Sequence, residues 1–192
     1  MSTLTFGPER SIPGKHSGAT TCRTYAVTIR GATTADAGAI ADIYNEAILT
    51  TTATFDTDPK TMGEREEWLR SHDERHPVLV AVGEGEVVGW VSLSSWSDRC
   101  AYADTGKISF YVHPTHRGRG VGRQLLAAIS EEARGLGYHS LIARVAEGSA
   151  ESLHLNERAG FVLAGTLLEV GRKFGRLLDV HLLQLMLKDL QD

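Results

Sequence analysis

The order of elements in these 192 residues predicts a mixed α/β fold, a central sheet with helices on both faces. Three observations predict it. Apolar residues recur at helical spacing in two separated stretches, Ile40 to Ile48 and Val121 to Ala133. Alternating or continuous apolar runs stand before, between and after them and read as strands. The succession of strand, two helices, antiparallel pair, strand–helix–strand, short helix and two long strands fits neither a regular strand–helix alternation nor a barrel.

Residues 1–24 carry Gly, Pro, Ser and Thr without a period, and are expected to form a flexible arm ahead of a domain over residues 25–192. Tyr25 to Arg30 alternates as a short strand. Thr33-Thr34 offer an N-cap with Asp36 in the first turn, and Ile40, Ile43, Tyr44, Ala47 and Ile48 form the apolar stripe of a helix. That helix should fail in the β-branched run Thr50 to Phe55. Such a run is ordinarily a loop; its alternative is a substrate wall of hydroxyls and one aromatic.

Thr61-Met-Gly-Glu64 is a capping box, so a second helix is expected to about Glu74 with Trp68 and Leu69 inward. Val78 to Val82 and Glu86 to Leu93 read as a hairpin around Gly83-Glu84-Gly85. Lys107 to Val112 is a further strand, and Val121, Leu125, Leu126, Ile129 and Ala133 mark the buried face of the helix that follows, closed by Gly135 and Gly137. Ser140 to Val145 has the continuous apolar character of an interior strand. Glu147 to Arg158 is a short helix. Phe161 to Val170 and Leu178 to Leu187 are long strands around a Gly171–Gly175 loop, the last alternating through Val180, Leu182, Leu185 and Leu187.

Composition narrows the function. A formal net charge of −4 argues against a nucleic-acid binder built on phosphate neutralisation. The local basic cluster from His113 to Arg123 therefore points to a compact anion. Cys22 and Cys100 fit no metal spacing and make no disulfide framework, which favours a reducing, cytoplasmic setting. No apolar run reaches membrane-span length, so no membrane partner is expected.

The most informative stretch is KISFYVHPTHRGRGVGRQLLAAISEE, Lys107 to Glu132. Arg117-Gly118-Arg119-Gly120-Val121-Gly122 opens its helix, where unpaired amides and the positive dipole end can seat a phosphate or pyrophosphate. The loop lacks the third glycine of G-x-G-x-x-G and the Lys-Ser/Thr of a P-loop. Alone, it describes an anion site or a tight turn with surface arginines.

Four segments taken in order resolve that choice. They are Ile43-Tyr-Asn-Glu-Ala-Ile48 with Thr54-Phe55, Trp96-x-x-Arg99-x-Ala-Tyr102, Tyr111-Val-His-x-x-His-Arg-Gly-Arg-Gly-Val-Gly122, and Val170-Gly-Arg-Lys-Phe-Gly-Arg-x-x-Asp-Val180. Together with Asn156-Glu-Arg-Ala-Gly-Phe161, this pattern resembles the GNAT acyl-CoA N-acyltransferases, and most closely their phosphinothricin/methionine sulfoximine acetyltransferase branch. The resemblance implies the GNAT fold, with a sheet of about six to seven strands and a splayed acyl-CoA cleft. It implies acetyl-CoA as co-substrate, no metal, a small-molecule amine as acceptor and a homodimer.

By the same resemblance, Phe110, Tyr111 and Val112 would pair with the pantetheine arm. Amides from Gly118 through Arg119, Gly120, Val121 and Gly122 to Arg123 would hold the pyrophosphate, with Arg117, Arg119 and Arg123 adding charge. Ser152 matches a serine of the branch, and Ser149 stands where an asparagine is usual. A backbone N–H near Tyr111 would serve the oxyanion. Arg99 would take the α-carboxylate of an amino-acid-like acceptor, flanked by Phe55 and Tyr102; the plain alternative is a surface arginine on a loop.

Two departures stand out. Lys107 replaces a glutamate suited to be the base, and Asn156 replaces a histidine or tyrosine. Lys107 relays a proton only if burial lowers its pKa. Asn156 can donate a hydrogen bond to the CoA sulfur but cannot protonate it. Glu46, Asp56 and Asp104 remain as carboxylates able to act through water, while His113, His116 and His154 read as solvated or structural. Direct acetyl transfer to an amine is the expected activity. Two rivals are an acyl-CoA-binding sensor with little turnover, which would also lack the proton-handling groups, and acetylation of protein lysines or N-termini, which would need an open acidic groove.

Overall fold

The computed structural model describes residues 25–187, so the expected arm over residues 1–24 lies outside the described residues. The elements are β1 (Thr28–Gly31), α1 (Ala37–Thr50), α2 (Met62–Arg70), β2 (Val78–Gly83), β3 (Glu86–Ser95), β4 (Thr105–Val112), α3 (Val121–Gly135), β5 (Ser140–Ala146), α4 (Ala150–Arg158), β6 (Val162–Lys173) and β7 (Arg176–Met186). They form a seven-stranded sheet ordered β1-β2-β3-β4-β5-β7-β6. Among the described residues, only the β4–β5 pair is parallel. This is the mixed sheet the sequence predicts.

Two apolar clusters hold the layers together. On one face, Val121, Leu125, Leu126, Ile129 and Ala133 of α3 meet Val91, Leu93, Ile108, Leu141 and Leu183 of the sheet. All five α3 residues are buried, and each large one contributes roughly 1.5–3 kcal/mol. On the other face, Ile40, Ile43, Tyr44 and Ile48 of α1 pack on Val80 and Trp90, with Trp68 and Leu69 of α2 against them.

Turn chemistry sets the connections. Glu84 and Gly85 both take positive φ (55° and 87°), the backbone of a two-residue hairpin turn. The α3 terminus closes as a Schellman motif: Tyr138 N–H donates to the Ala133 carbonyl and Gly137 N–H to the Arg134 carbonyl, with Gly137 at φ 79°. At α2, the Thr61 hydroxyl accepts from the Glu64 amide while the Glu64 carboxylate accepts from the Thr61 amide at 2.7 Å.

Several boundaries differ from expectation for local reasons. The first strand is shorter, Thr28–Gly31. Helix α2 ends at Arg70 rather than near Glu74, because the Asp73 carboxylate accepts from the Arg75 and His76 amides and builds a turn there. Helix α4 begins at Ala150 rather than Glu147. The Gly171–Gly175 loop is mostly strand, with a tight turn at Phe174 (φ 49°) and Gly175 (φ 75°). The alternation expected of β7 also breaks: Leu178 and Val180 are buried, then Leu183 and Leu187. Leu183, opposite Ala143, belongs to the α3 side, and Val180 to the other face.

Before α1, Asp36 is buried with Arg30 donating to both its carboxylate oxygens, at 2.7 and 2.8 Å. The Arg30 guanidinium, aided by the Thr33 amide and hydroxyl, holds the Asp36 carboxyl at about 2 against the cost of burial. A carboxyl depressed in the folded state stabilises the fold above its unfolded value of about 3.9, and this contribution is lost as pH falls through the folded value. Asp36→Asn should therefore cost roughly 1–2 kcal/mol in urea denaturation at neutral pH, and the gap to wild type should close as pH falls from about 5 towards 2. A gap of equal size at both ends of that range contradicts the assignment.

Candidate active site

Strands β4 and β5 pair only from Thr105–Ser140 to Ile108–Ala143. Beyond that rung β4 continues against β3, to Val112 opposite Gly89, and β5 continues against β7, to Ala146 opposite Val180. The two strands diverge, each keeping one outer neighbour. Thr105 O accepts from Trp96 N and His113 N donates to Val88 O, so the odd-numbered residues of β4 face β3. Phe110 and Val112 therefore turn their backbone groups into the gap. Tyr111, opposite Trp90, turns its own towards β3, so an amide facing the gap comes from its neighbours. Unpaired strand edges of this kind carry a desolvation cost that an extended, amide-bearing ligand removes.

Beyond Val112, a short turn leads to Gly118 (φ 71°) and Gly120 (φ 85°), both in the left-handed region, and Gly120 is the N-cap of α3. Among the described residues, no turn or loop hydrogen bond is donated by a backbone amide from Gly118 to Arg123. Gly122 serves packing instead: a Cβ there would meet Leu155 Cδ2 at 2.7 Å. The arginines divide in role. Arg117 donates through Nε to the Val112 carbonyl (3.0 Å) and through Nη2 to Glu46 (2.5 Å), tying the loop to β4 and α1. Arg119 lies over the Tyr25 ring, and Arg123 is exposed on the first turn of α3.

The gap opens into a cavity of about 460 Å³. Its walls come from Tyr44, the Thr52–Asp56 segment, Lys107–Tyr111 of β4, Ala143–Ala146 of β5, Ser149, Ser152 and Asn156 of α4, and Leu167, Val170 and Val180. The threonine-rich exit of α1 is thus a cavity wall, pinned at several points. Asn45 holds Lys60 through both backbone groups, at 2.8 and 2.7 Å. The Thr52 hydroxyl donates to the Glu147 carbonyl. Lys173, buried in β6, donates to the Thr54 carbonyl at 2.6 Å, and burial pushes its pKa down.

Within the cavity the Tyr44 hydroxyl bridges the Thr54 hydroxyl (2.8 Å) and Asp56 Oδ2 (3.0 Å). Desolvation raises the pKa of Tyr44 and raises that of Tyr111 far above the usual phenol range, so both stay protonated. The Tyr111 hydroxyl donates to the Ala53 carbonyl (3.3 Å), and its ring packs on Tyr44 and Trp90. Asn156 is fully buried; its Nδ2 donates to the Ser152 carbonyl at 2.8 Å, and its Oδ1 has no partner among the described residues. The sequence suggested Asn156 as a donor, yet the atom left free is an acceptor.

The residues expected on sequence grounds fall into two groups. Phe55, Phe110, Tyr111, Ser149, Ser152 and Asn156 line the cavity, and the loop from Arg117 to Arg123 follows the end of β4. Tyr102, in a short 3-10 segment, and Arg99, its N-cap, are exposed and do not line it. Of the three candidate carboxylates only Asp56 does; Glu46 pairs with Arg117 and Asp104 with Arg75. Lys107 does line it, half-buried, and burial together with the nearby Arg144 lowers its pKa. Arg144 was missed as a cavity element; Lys173, read on sequence grounds as reaching the pocket mouth from the long hairpin, does not line the cavity but braces its wall at Thr54. The signal for Arg144 was a charge interrupting an otherwise apolar strand. No group of His, Cys, Asp or Glu among the described residues is placed to hold a metal ion.

A cleft between parting parallel strands, with a glycine loop opening a helix beside it, defines the class. The chain matches the acetyltransferase (GNAT) family over residues 40–161. It is 38% identical over 164 residues to the L-amino acid N-acyltransferase MnaT of Escherichia coli, covering 85% of this chain and 95% of that protein. It is 39% identical over 161 residues to the L-methionine sulfoximine/L-methionine sulfone acetyltransferase of Pseudomonas aeruginosa, covering 83% and 94%. The acetyltransferase yncA of Salmonella typhimurium, solved with its cofactor acetyl-CoA, superposes with a TM-score of 0.83 at 37% identity, covering 87% of this chain and 97% of that one. The chain belongs to the GNAT family and is an acetyl-CoA-dependent N-acetyltransferase.

Gly120→Asp should weaken CoA binding at least about tenfold, since aspartate tolerates left-handed backbone while adding bulk and negative charge at the helix start. Calorimetric titration of CoA checks this, and an unchanged Kd rejects the loop as the diphosphate seat.

Proposed function

We propose that this protein transfers the acetyl group of acetyl-CoA to the primary amine of a small amino-acid-like acceptor, of the methionine sulfoximine or phosphinothricin class. The observation that carries the reading is the pair of open strand edges, the Phe110 backbone and the Val112 amide on one side and β5 on the other, opening onto the cavity. The relatives named above, which act on L-amino acids and on methionine sulfoximine, support the acceptor class.

The chemistry asks little of the protein beyond alignment. The amine nitrogen attacks the thioester carbonyl, a C–N bond forms, the C–S bond breaks and the thiolate leaves. The attacking amine must shed a proton, and Asp56, held by Tyr44 Oη, is the cavity carboxylate suited to receive it through water. An amide on the β4 edge at Phe110 or Val112 can donate to the developing oxyanion. Asn156 Oδ1 accepts from an N–H or S–H of the pantetheine end. Amides from Gly118 to Arg123 take the diphosphate, with Arg119 and Arg123 adding charge while Arg117 braces the loop.

The β6–β7 hairpin supports a homodimer. Leu168 and Val162 are 75% and 64% exposed, and Leu163, Val170 and Phe174 are exposed beside them, more apolar surface than a lone hairpin ordinarily carries. The single described cysteine, Cys100, is free and exposed, which suits a reducing cytoplasm.

Release of free thiol from acetyl-CoA should occur with amino-acid acceptors in an amine panel, and Asp56→Asn should lower kcat/KM by about 10²–10⁴ with CoA affinity unchanged. CoA binding without thiol release across the panel would instead support an acyl-CoA sensor. Sedimentation should give a dimer that Leu168→Asp dissociates; a wild-type monomer at micromolar concentration rejects the interface.

A further inference from the structure

Three of the residues lining the cavity are charged: Asp56, Lys107 and Arg144. Lys107 and Arg144 rise from the sheet floor on the face that α1 covers. In the parallel register Lys107 lies opposite Ile142, and Arg144 is the next residue of β5 to share that face. Their neighbours Ile108 and Ala143 point the other way, into the core beneath α3. Neither cation forms an ion pair with any described residue. Two like charges near one another, Lys107 half-buried and Arg144 exposed beyond the last rung, raise each other's energy, which a bound anion offsets.

We infer that Lys107 and Arg144 form the anion subsite of the acceptor pocket and hold the carboxylate of the amino-acid acceptor while its amine faces Asp56. The inference rests on the N-acetyltransferase reading above and deepens it. Three features favour this anion over others. The diphosphate seat lies beyond Val112, five residues along β4 from Lys107, or roughly 17 Å at about 3.3 Å per residue. Arg99, the other candidate for a carboxylate, stands outside the cavity. Asp56, on the loop wall, pairs with Lys60 at 3.6 Å and not with the floor cations. The cavity thus carries a carboxylate on one wall, met in part by Lys60, and two cations without ion-pair partners among the described residues on its floor, an arrangement that suits a zwitterion.

The test compares an α-amino-acid acceptor with its uncharged carboxamide. Lys107→Met and Arg144→Met should each raise KM for the amino acid about 10- to 100-fold, the cost of a lost charge-assisted hydrogen bond, with a smaller change in kcat. KM for the carboxamide and Kd for CoA should stay within about twofold of wild type, and Lys107→Arg should restore most of the amino-acid affinity. Equal losses for both acceptors overturn the assignment, as does Arg99→Ala alone abolishing the discrimination. Calorimetric titration of the amino acid into the CoA complex reads the same subsite without turnover. Binding by the wild type that vanishes in the double Met variant supports it; no binding by the wild type, or unchanged binding by the double variant, overturns it. Thiol release absent with every amine defeats the transferase reading separately, and the titration still decides the subsite.

Discussion

The parting of β4 from β5 after the Ile108–Ala143 rung is the constraint on which the rest of the molecule depends. Hydrogen-bonded strands do not separate in a packed core without leaving polar backbone groups unanswered. Here both strands stay fastened on their outer sides, to β3 and β7, so the gap is held open by the sheet itself. The apolar cluster under α3 supplies the rigidity. Leu125, Leu126 and Ile129 are fully buried against strands on both sides of the split. The same helix delivers the glycine loop to the end of β4, so the open strand edge and the glycine loop share one rigid support.

The cavity wall on the opposite face is built from less regular material. The segment after α1 has no secondary structure of its own, yet Asn45, Thr52 and Lys173 fasten it to three other parts of the chain. Lys173 is the costliest of these fasteners, since its amine is buried and its one described bond is to the Thr54 carbonyl. A buried cation that braces a wall bearing Tyr44, Thr54 and Asp56 ties the β6–β7 hairpin to the chemistry. Order in that hairpin and order in the cavity are therefore one property.

Much of this was legible because local rules and global packing agree. The stripes of α1 and α3, the capping box at Thr61, and the glycine turns at Glu84-Gly85 and Gly137 need only nearest neighbours to be read. Where a local signal misled, a local competitor explains it: the Asp73 turn ends α2 early, and strand pairing continues through Gly171 to leave a two-residue turn. The glycine loop at the start of α3 was legible, since its glycines and unpaired amides are consecutive in the chain. The charged lining of the cavity was not. Arg99 and Tyr102 read as pocket residues and lie on the surface, while Arg144 read as part of an apolar strand and lies on the cavity floor.

The sequence by itself determined the element order, the buried faces, the family and the glycine loop that opens α3, because each depends on residues close together along the chain. Which charges face one another across the cavity was decided only by the tertiary structure. Asp56, Lys107, Arg144 and Asn156 come from a loop, two strands and a helix, and they meet only through the strand register and the split between β4 and β5. Electrostatic partnership depends on distance in space, and in this fold the distances across the cavity are set by pairing of strands far apart in the chain.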